Sequence, residues 1–346
     1  MTLFLNCVQS LTDLIYRFCN NWFSIFCLYK NVIYKIKQKK QLIKNILITG
    51  SSGQDGKIIL NKLLKKKDNL FLISRKKYKI PIRKNIKSFF INLNNKKKLN
   101  NFFLKNKIDV ILHLASNNPS YGQNSYKDHY LNNIKASKNL IEISAKTQKK
   151  IKIIFCSSSR VFQKKNGIVN EKSKFLSRDH YSRFRIEINK ILNTMVKSNE
   201  NFKFTNAILF NHDSAFRNRK FLLPRIIKNL LNKNSIFLNS IIKENISMDF
   251  SHADDICDGL IKLIFIKKDI KNIILSSGKK TYINDIIKYL VRKNKLSINL
   301  NYTVISNKPC LIGNNNFAKR YINWKIKKNI FLAAQELFLE SKKTKY

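Results

Sequence analysis

The chain has 346 residues, 44% of them apolar, which excludes a disordered polymer and suffices for one large domain or two modest ones. Its formal charge of +48 comes from 68 Lys and Arg against 20 Asp and Glu. That charge raises nucleic acid or an acidic membrane as partners. The basic residues are spread along the whole chain, however, and Asn and Ile are as overused as Lys, so no specific nucleic-acid partner is expected. The six cysteines form no Cys-x-x-Cys pair and the five histidines are widely scattered, so no metal site is expected. A reduced, cytoplasmic setting follows.

Residues 1–44 read as an N-terminal extension. Leu3 to Ile36 is rich in Phe, Leu, Ile and Tyr, but Asp13, Arg17, Asn20 and Asn21 interrupt it. A spanning helix needs about 20 apolar residues in a row, and none occurs. No secretory cleavage pattern appears either. The expectation is a disordered extension, or one in weak contact with a membrane surface through an interfacial helix and the basic run Lys35–Lys44.

The first clear element is Ile46-Leu47-Ile48, an apolar run of the kind a buried parallel strand shows. Gly50, Gly53 and Gly56 follow, three of only eight glycines in the chain. A helical pattern with Ile59, Leu60, Leu63 and Leu64 on one face comes next. Strand, glycine turn and helix together predict a dinucleotide site. Gly50 permits the tight turn, Gly53 lets backbone approach a pyrophosphate, and Gly56 lets helix pack on strand. The pyrophosphate would sit on the helix N-terminus. A nucleotidase-type phosphate loop is excluded, because Ser51 stands where its first Gly belongs and Ile58 where Ser or Thr would hold magnesium.

Leu70–Ser74 is the second strand. An acidic residue at its end would bind the ribose of NAD; here Arg75, Lys76 and Lys77 follow, so NADP is the first reading and NAD the second. Phe89-Phe90-Ile91 is the third strand, closed by Asn92, and a helix begins at Leu99–Leu104. Val110–Ala115 is the fourth strand, Tyr130–Ser144 a helix, and Ile151–Cys156 the fifth strand, running into Ser157-Ser158-Ser159. The alternation predicts an α/β fold with a doubly wound parallel sheet. Tyr181 then opens a helix carrying Phe184, Ile186, Ile188 and Ile191. A serine hydroxyl and a tyrosine phenolate can together take the proton of a substrate alcohol while hydride leaves to a nicotinamide. A phenol with an ordinary pKa near 10 needs a nearby cation for this, and Arg185, one helical turn on, is placed to supply it.

These segments resemble the extended short-chain dehydrogenase/reductase family, and among its members the GDP-mannose 4,6-dehydratases. Thr49–Gly56 (TGSSGQDG) is similar to their nucleotide motif, including the Gln54-Asp55 pair. Asn133-Ile134 with Asn139–Glu142, Ile208–Ser214 (ILFNHDS), Asp249–Asp255 (DFSHADD), Leu311-Ile312-Gly313 and Asn323-Trp324-Lys325 match later segments in order. The resemblance covers about residues 45–335. It implies a Rossmann core over about 45–211 and a smaller substrate lobe mainly from 212–335; beyond it, residues 336–346 read as a basic tail. It implies Ser158, Tyr181 and Arg185 as the catalytic set. The expected cofactor contacts are Gly50, Gly53, Gln54, Asp55, Gly56, Arg75, Asn92, Leu114, Ala115, Tyr181 and Arg185, and the expected substrate contacts are Asn211 and Arg217. A homo-oligomer acting on GDP-mannose, giving a 4-keto-6-deoxy sugar nucleotide, is implied with them.

The departures fall on the chemistry. Arg185 replaces the usual Lys of the Tyr-x-x-x-Lys motif, keeping its charge but not its compact geometry. Arg160 stands where these dehydratases have the Glu that abstracts the C5 proton, and Arg cannot act as that base. Met248 replaces an Arg linked to nucleotide binding. An epimerase or 4-keto reductase needs no such base and is the alternative, with a catalytically silent nucleotide binder as a reading of another class.

Overall fold

The structure is a computed structural model, and it describes residues 43–118 and 125–344. The expectations for residues 1–44 lie outside the described residues, apart from Ile43 and Lys44. Residues 44–346 form one compact unit.

A seven-stranded parallel sheet organises this unit. In chain order its strands are β1 (Asn45–Thr49), β2 (Asn69–Ser74), β3 (Ile86–Phe90), β4 (Val110–His113), β5 (Ile151–Ser158), β7 (Phe202–Leu209) and β10 (Asn272–Leu275). Their spatial order is β10-β7-β5-β4-β1-β2-β3. The order reverses between β1 and β4, which pair in parallel through Ile46↔Val110 to Thr49↔His113. In open α/β sheets such a reversal leaves a crevice at the carboxyl ends of the strands, where ligands bind.

The central strands read as apolar runs because both faces are covered. On one face, α1 (Gln54–Leu63) and the helix Ala253–Phe265 pack on Ile46, Ile48, Leu112 and Ile154. On the other, Leu47, Ile111, Ile153 and Phe155 meet the helices Lys96–Lys105, Ala136–Thr147 and α4 (His180–Ser198). The edge strand β3 starts at Ile86, three residues before the expected Phe89. It has one neighbour in the sheet, and its Lys87 and Ser88 carry no apolar signature. Strand β5 runs two residues past the expected Cys156, since Ser157 and Ser158 still pair with Ile208 and Leu209. The helix expected from Tyr130 starts at Tyr126, and Tyr130–Lys135 winds as a π-turn.

Residues 212–335 do not build a separate lobe alone. They return a strand, β10, to the main sheet, because its apolar Ile273-Ile274-Leu275 run needs cover on both faces. The rest of the segment forms a second core from helices Leu222–Leu231, Ser235–Lys243, Ile283–Lys293 and Ile330–Lys343. The expected basic tail is a correction: residues 336–343 continue the last helix, because Leu337, Phe338 and Ser341 are buried. Asp249 joins strand β9 (Ser247–His252) to the neighbouring loops by accepting from Ser277 N and Oγ, Gly278 N and Gly313 N. Among the described residues no helix is long and apolar enough to cross a membrane.

Trp324 closes the first core. It is 1% exposed and its indole N–H donates to the Asp255 carbonyl at 2.7 Å. Trp324→Ala is expected to cost about 3–5 kcal/mol in chemical denaturation; an unchanged midpoint would remove it from the core.

Candidate active site

The glycine turn lies at the crevice, and each glycine there has its own steric reason. Gly50 sits at φ +70°, and a Cβ on it would come within 2.7 Å of the Ala115 nitrogen. The fourth strand therefore ends at His113, not at Ala115. Leu114 and Ala115 peel away, still bonded to Thr49 through its carbonyl and hydroxyl oxygens. Gly53 is the N-cap of α1, and no side chain caps that helix. A Cβ on Gly56 would lie 2.6 Å from Ser51 backbone. An uncapped helix start beneath a glycine turn fits the pyrophosphate of a dinucleotide, where amide donors and the positive dipole end meet negative charge.

Under the turn, His113 is buried between Thr49 Oγ1 (2.6 Å) and Ser137 Oγ (2.8 Å). Burial, with the nearby Arg185 charge, pushes its pKa down to about 3, so it is a neutral tie between β4, β1 and the helix behind them.

Opposite the turn stands the serine–tyrosine cluster. Strand β5 delivers Ser158 to the crevice. Asp179 caps α4 by accepting from Ser182 N at 2.7 Å, which starts the helix one residue before Tyr181. Tyr181 and Arg185 then face the same side, as their spacing predicts. Arg185 is 7% exposed and donates to the Cys156 carbonyl (2.8 Å), to Ser116 Oγ and to Tyr181 Oη (3.2 Å). Its Nε is buried with no hydrogen-bond partner among the described residues. Asn133, in the π-turn, holds the loop carrying Ser116 by accepting from Ser116 Oγ and Asn117 N. A π-turn adds a residue to the helix register and often marks a functional site.

Glycine turn and cluster line one cleft of about 670 Å³. Of the residues expected from sequence, Gly50, Gly53, Gln54, Asp55, Gly56, Leu114, Ser158, Tyr181, Arg185, Asn211 and Arg217 line it together. Three stand apart. Arg75 donates to Asn132 Oδ1 at 3.0 Å on the surface, Asn92 accepts from Asn94 N in a turn, and Ala115 touches the turn through backbone. Arg217 pairs with Asp213 at 2.6 Å, and burial lifts the Asp213 carboxyl to about 6 against that pairing.

Sequence reading missed Ser116 as the bridge to Arg185, and it missed two ion pairs. One joins Arg160 to Asp179, with the Arg160 guanidinium 5.7 Å from the Tyr181 ring centre. The other joins the turn to β8 (Asn211–Asp213). His212 Nδ1 lies 2.7 Å from the Phe210 carbonyl, and its Nε2 lies 3.1 Å from Asp55. Both neighbours are acceptors, so both ring nitrogens carry protons and the ring is an imidazolium. Gln54 adds bonds to Asp55 and the His212 carbonyl, and accepts from Ser214. Burial opposes both charges. The imidazolium nevertheless holds Asp55 down at about 2, and Asp55 raises the His212 pKa.

A doubly wound parallel sheet whose glycine turn faces a Ser–Tyr–Arg cluster across one cleft is a Rossmann-like architecture. Residues 46–273 match the model of the NAD dependent epimerase/dehydratase family, and the chain belongs to that family. A comparison with curated protein sequences finds no match. Solved structures share the fold. MoeE5 in complex with UDP-glucuronic acid and NAD is similar with a TM-score of 0.73 at 14% identity, over 87% of this chain and 99% of that one. The UDP-glucuronic acid 4-epimerase from Bacillus cereus, in complex with UDP-glucuronic acid and NAD, gives 0.73 at 18% over 87% and 99%. The UDP-glucose 4-epimerase from Thermotoga maritima, with UDP-glucose, gives 0.73 at 17% over 87% and 99%. The two named by activity are 4-epimerases, where the sequence segments pointed to GDP-mannose 4,6-dehydratases.

The Asp55–His212 pair makes stability depend on pH. A raised histidine pKa stabilises fully below about 6.5, and the gain is lost as pH rises through the folded value; the depressed Asp55 stabilises above about 4. His212→Gln is therefore expected to cost about 1–3 kcal/mol near pH 5–6. The gap in unfolding midpoint from wild type should narrow above neutrality, and a gap that widens there would contradict the imidazolium.

Proposed function

We propose that this chain interconverts nucleotide sugars at carbon 4, as a 4-epimerase, with a nicotinamide dinucleotide in the cradle. The observation that carries this reading is the Ser158–Tyr181–Arg185 cluster, with Arg185 donating to the phenol oxygen across the cleft from the glycine turn. Gly50, Gly53 and the start of α1 would hold the pyrophosphate. A nicotinamide bound there would supply the hydride acceptor for oxidation at carbon 4 and the donor for the return step.

Tyr181 takes the proton of the 4-hydroxyl, and Ser158 Oγ orients that hydroxyl. Arg185, anchored on the β5 carbonyl, stays beside the oxygen where negative charge develops. After the sugar turns, Tyr181 returns the proton to oxygen 4 on the opposite configuration. Among the described residues that line the cleft, the carboxylates Asp55 and Asp213 are both paired, which leaves none for an elimination across carbons 5 and 6. Arg160 cannot take a proton, and Asp179 is engaged by Arg160 and by Ser182 N. Asn211 and Arg217 line the cleft near β8, where a nucleotide diphosphate would be received.

The cofactor is proposed as NADP, supported by β2 ending at Ser74 ahead of Arg75, Lys76 and Lys77 with no carboxylate; NAD, which MoeE5 and the Bacillus cereus epimerase hold, is the alternative. The buried free thiols of Cys156, Cys257 and Cys310 accord with a reducing, cytoplasmic setting.

Dehydration of GDP-mannose is the second reading. It is supported by the contacts of Gln54 and Asp55 with His212 and Ser214, which join two segments resembling the dehydratases. Mass separates the readings, since epimerisation conserves it and dehydration loses one water. Tyr181→Phe is expected to lower turnover by about 10²–10⁴-fold without loss of cofactor binding, measured by product NMR and mass spectrometry. Undiminished turnover would take Tyr181 out of the mechanism.

A further inference from the structure

The cations of the cleft divide by place. Arg217, paired with Asp213, lies near β8, and Lys57 lies on α1 against the Phe216 ring. Both serve the end that receives phosphate. Arg160 stands at the other end, above the Tyr181 ring. Its backbone N–H donates to Ser158 Oγ, so the turn that presents Ser158 also places Arg160. A phosphate-binding role does not account for a cation at this end.

The carboxylates of the cleft are spent: Asp55 on His212 and Asp213 on Arg217. Arg160 is held by Asp179 through Nη2 alone. Its Nη1 and Nε have no hydrogen-bond partner among the described residues, and the side chain is 51% exposed while it lines the cleft. A guanidinium steadied on one nitrogen, in a side chain that lines the cavity, keeps donors that match the planar two-oxygen geometry of a carboxylate.

We propose that Arg160 selects substrates whose sugar bears a carboxylate on carbon 5, namely nucleotide-linked uronic acids. This rests on the proposed chemistry at carbon 4. Ser158 and Tyr181 hold oxygen 4, carbon 5 adjoins carbon 4 in a pyranose ring, and the group on carbon 5 therefore falls beside the residue that follows the serine run. A carboxylate there forms charge-assisted bonds with the remaining edge of Arg160, whereas a hydroxymethyl group offers that edge no anion beyond Asp179. Asp179 keeps the guanidinium at that end of the cleft before substrate arrives.

The test compares UDP-glucuronic acid with UDP-glucose, and GDP-mannuronic acid with GDP-mannose, on the cofactor-loaded protein. Dissociation constants and KM are measured for wild type, Arg160→Gln and Arg160→Lys. Reading the ratio between the two sugars within each variant cancels any general loss of folded protein. Wild type is expected to favour the uronic acid of one pair by about 10–100-fold. Arg160→Gln should bring that ratio close to one, and Arg160→Lys should restore part of it. Equal binding of acid and neutral sugar by wild type, or a ratio unchanged in Arg160→Gln, overturns the assignment and leaves carbon-4 chemistry standing. Binding of none of the four by cofactor-loaded wild type overturns the assignment and the proposed function together.

Discussion

One guanidinium fixes the geometry on which the site depends. Arg185 is buried, and its terminal nitrogens reach the end of β5, the loop after β4 and the phenol of Tyr181. A charge in that position is costly unless its donors are met. In the proposed chemistry that cost would serve the function, because a cation already desolvated and oriented needs no reorganisation when an oxyanion forms beside it. The fold provides the supports. Asp179 sets the first turn of α4, β5 carries pairing through Ser158, and the π-turn aims Asn133 at the loop that holds Ser116.

The opposite wall follows from a steric prohibition. The turn after β1 approaches Ala115 so closely that position 50 admits no Cβ, and α1 approaches Ser51 so closely that position 56 admits none. The approach leaves an uncapped helix start open to an anion. The Asp55–His212 pair then ties that helix start to β8, so the proposed cofactor cradle and the strand that borders the proposed substrate end share one electrostatic contact.

Much of this was legible in the sequence where the physics is local. A glycine turn between an apolar strand and an amphipathic helix has few other meanings, and Tyr181 and Arg185 share a face by helical spacing alone. Trp324 and the Asp249–Asp255 segment were found through resemblance and prove to be packing and hydrogen-bond hubs. Other features were hidden because they arise between distant residues. Arg160 reads as a lost base until Asp179, nineteen positions away, is seen to hold it. His212 reads as a scattered histidine until Asp55 meets it. The edge strand β3 lacks the apolar run that two-sided burial imposes, and β10 returns to the main sheet after a long excursion. The π-turn has no sequence signature to read. The dehydratase resemblance rested in part on segments that build the glycine turn and β8, while the similar folds include 4-epimerases.

The central claim is that this cleft exchanges configuration at carbon 4 by removing and returning the hydrogen of that carbon. The most direct measurement incubates the cofactor-loaded protein with nucleotide sugars deuterated at carbon 4 and locates the label by NMR. The account predicts a product of unchanged mass, inverted at carbon 4, with the deuterium still on carbon 4. Deuterium moved to carbon 6 with loss of water, or deuterium exchanged into solvent, would contradict it.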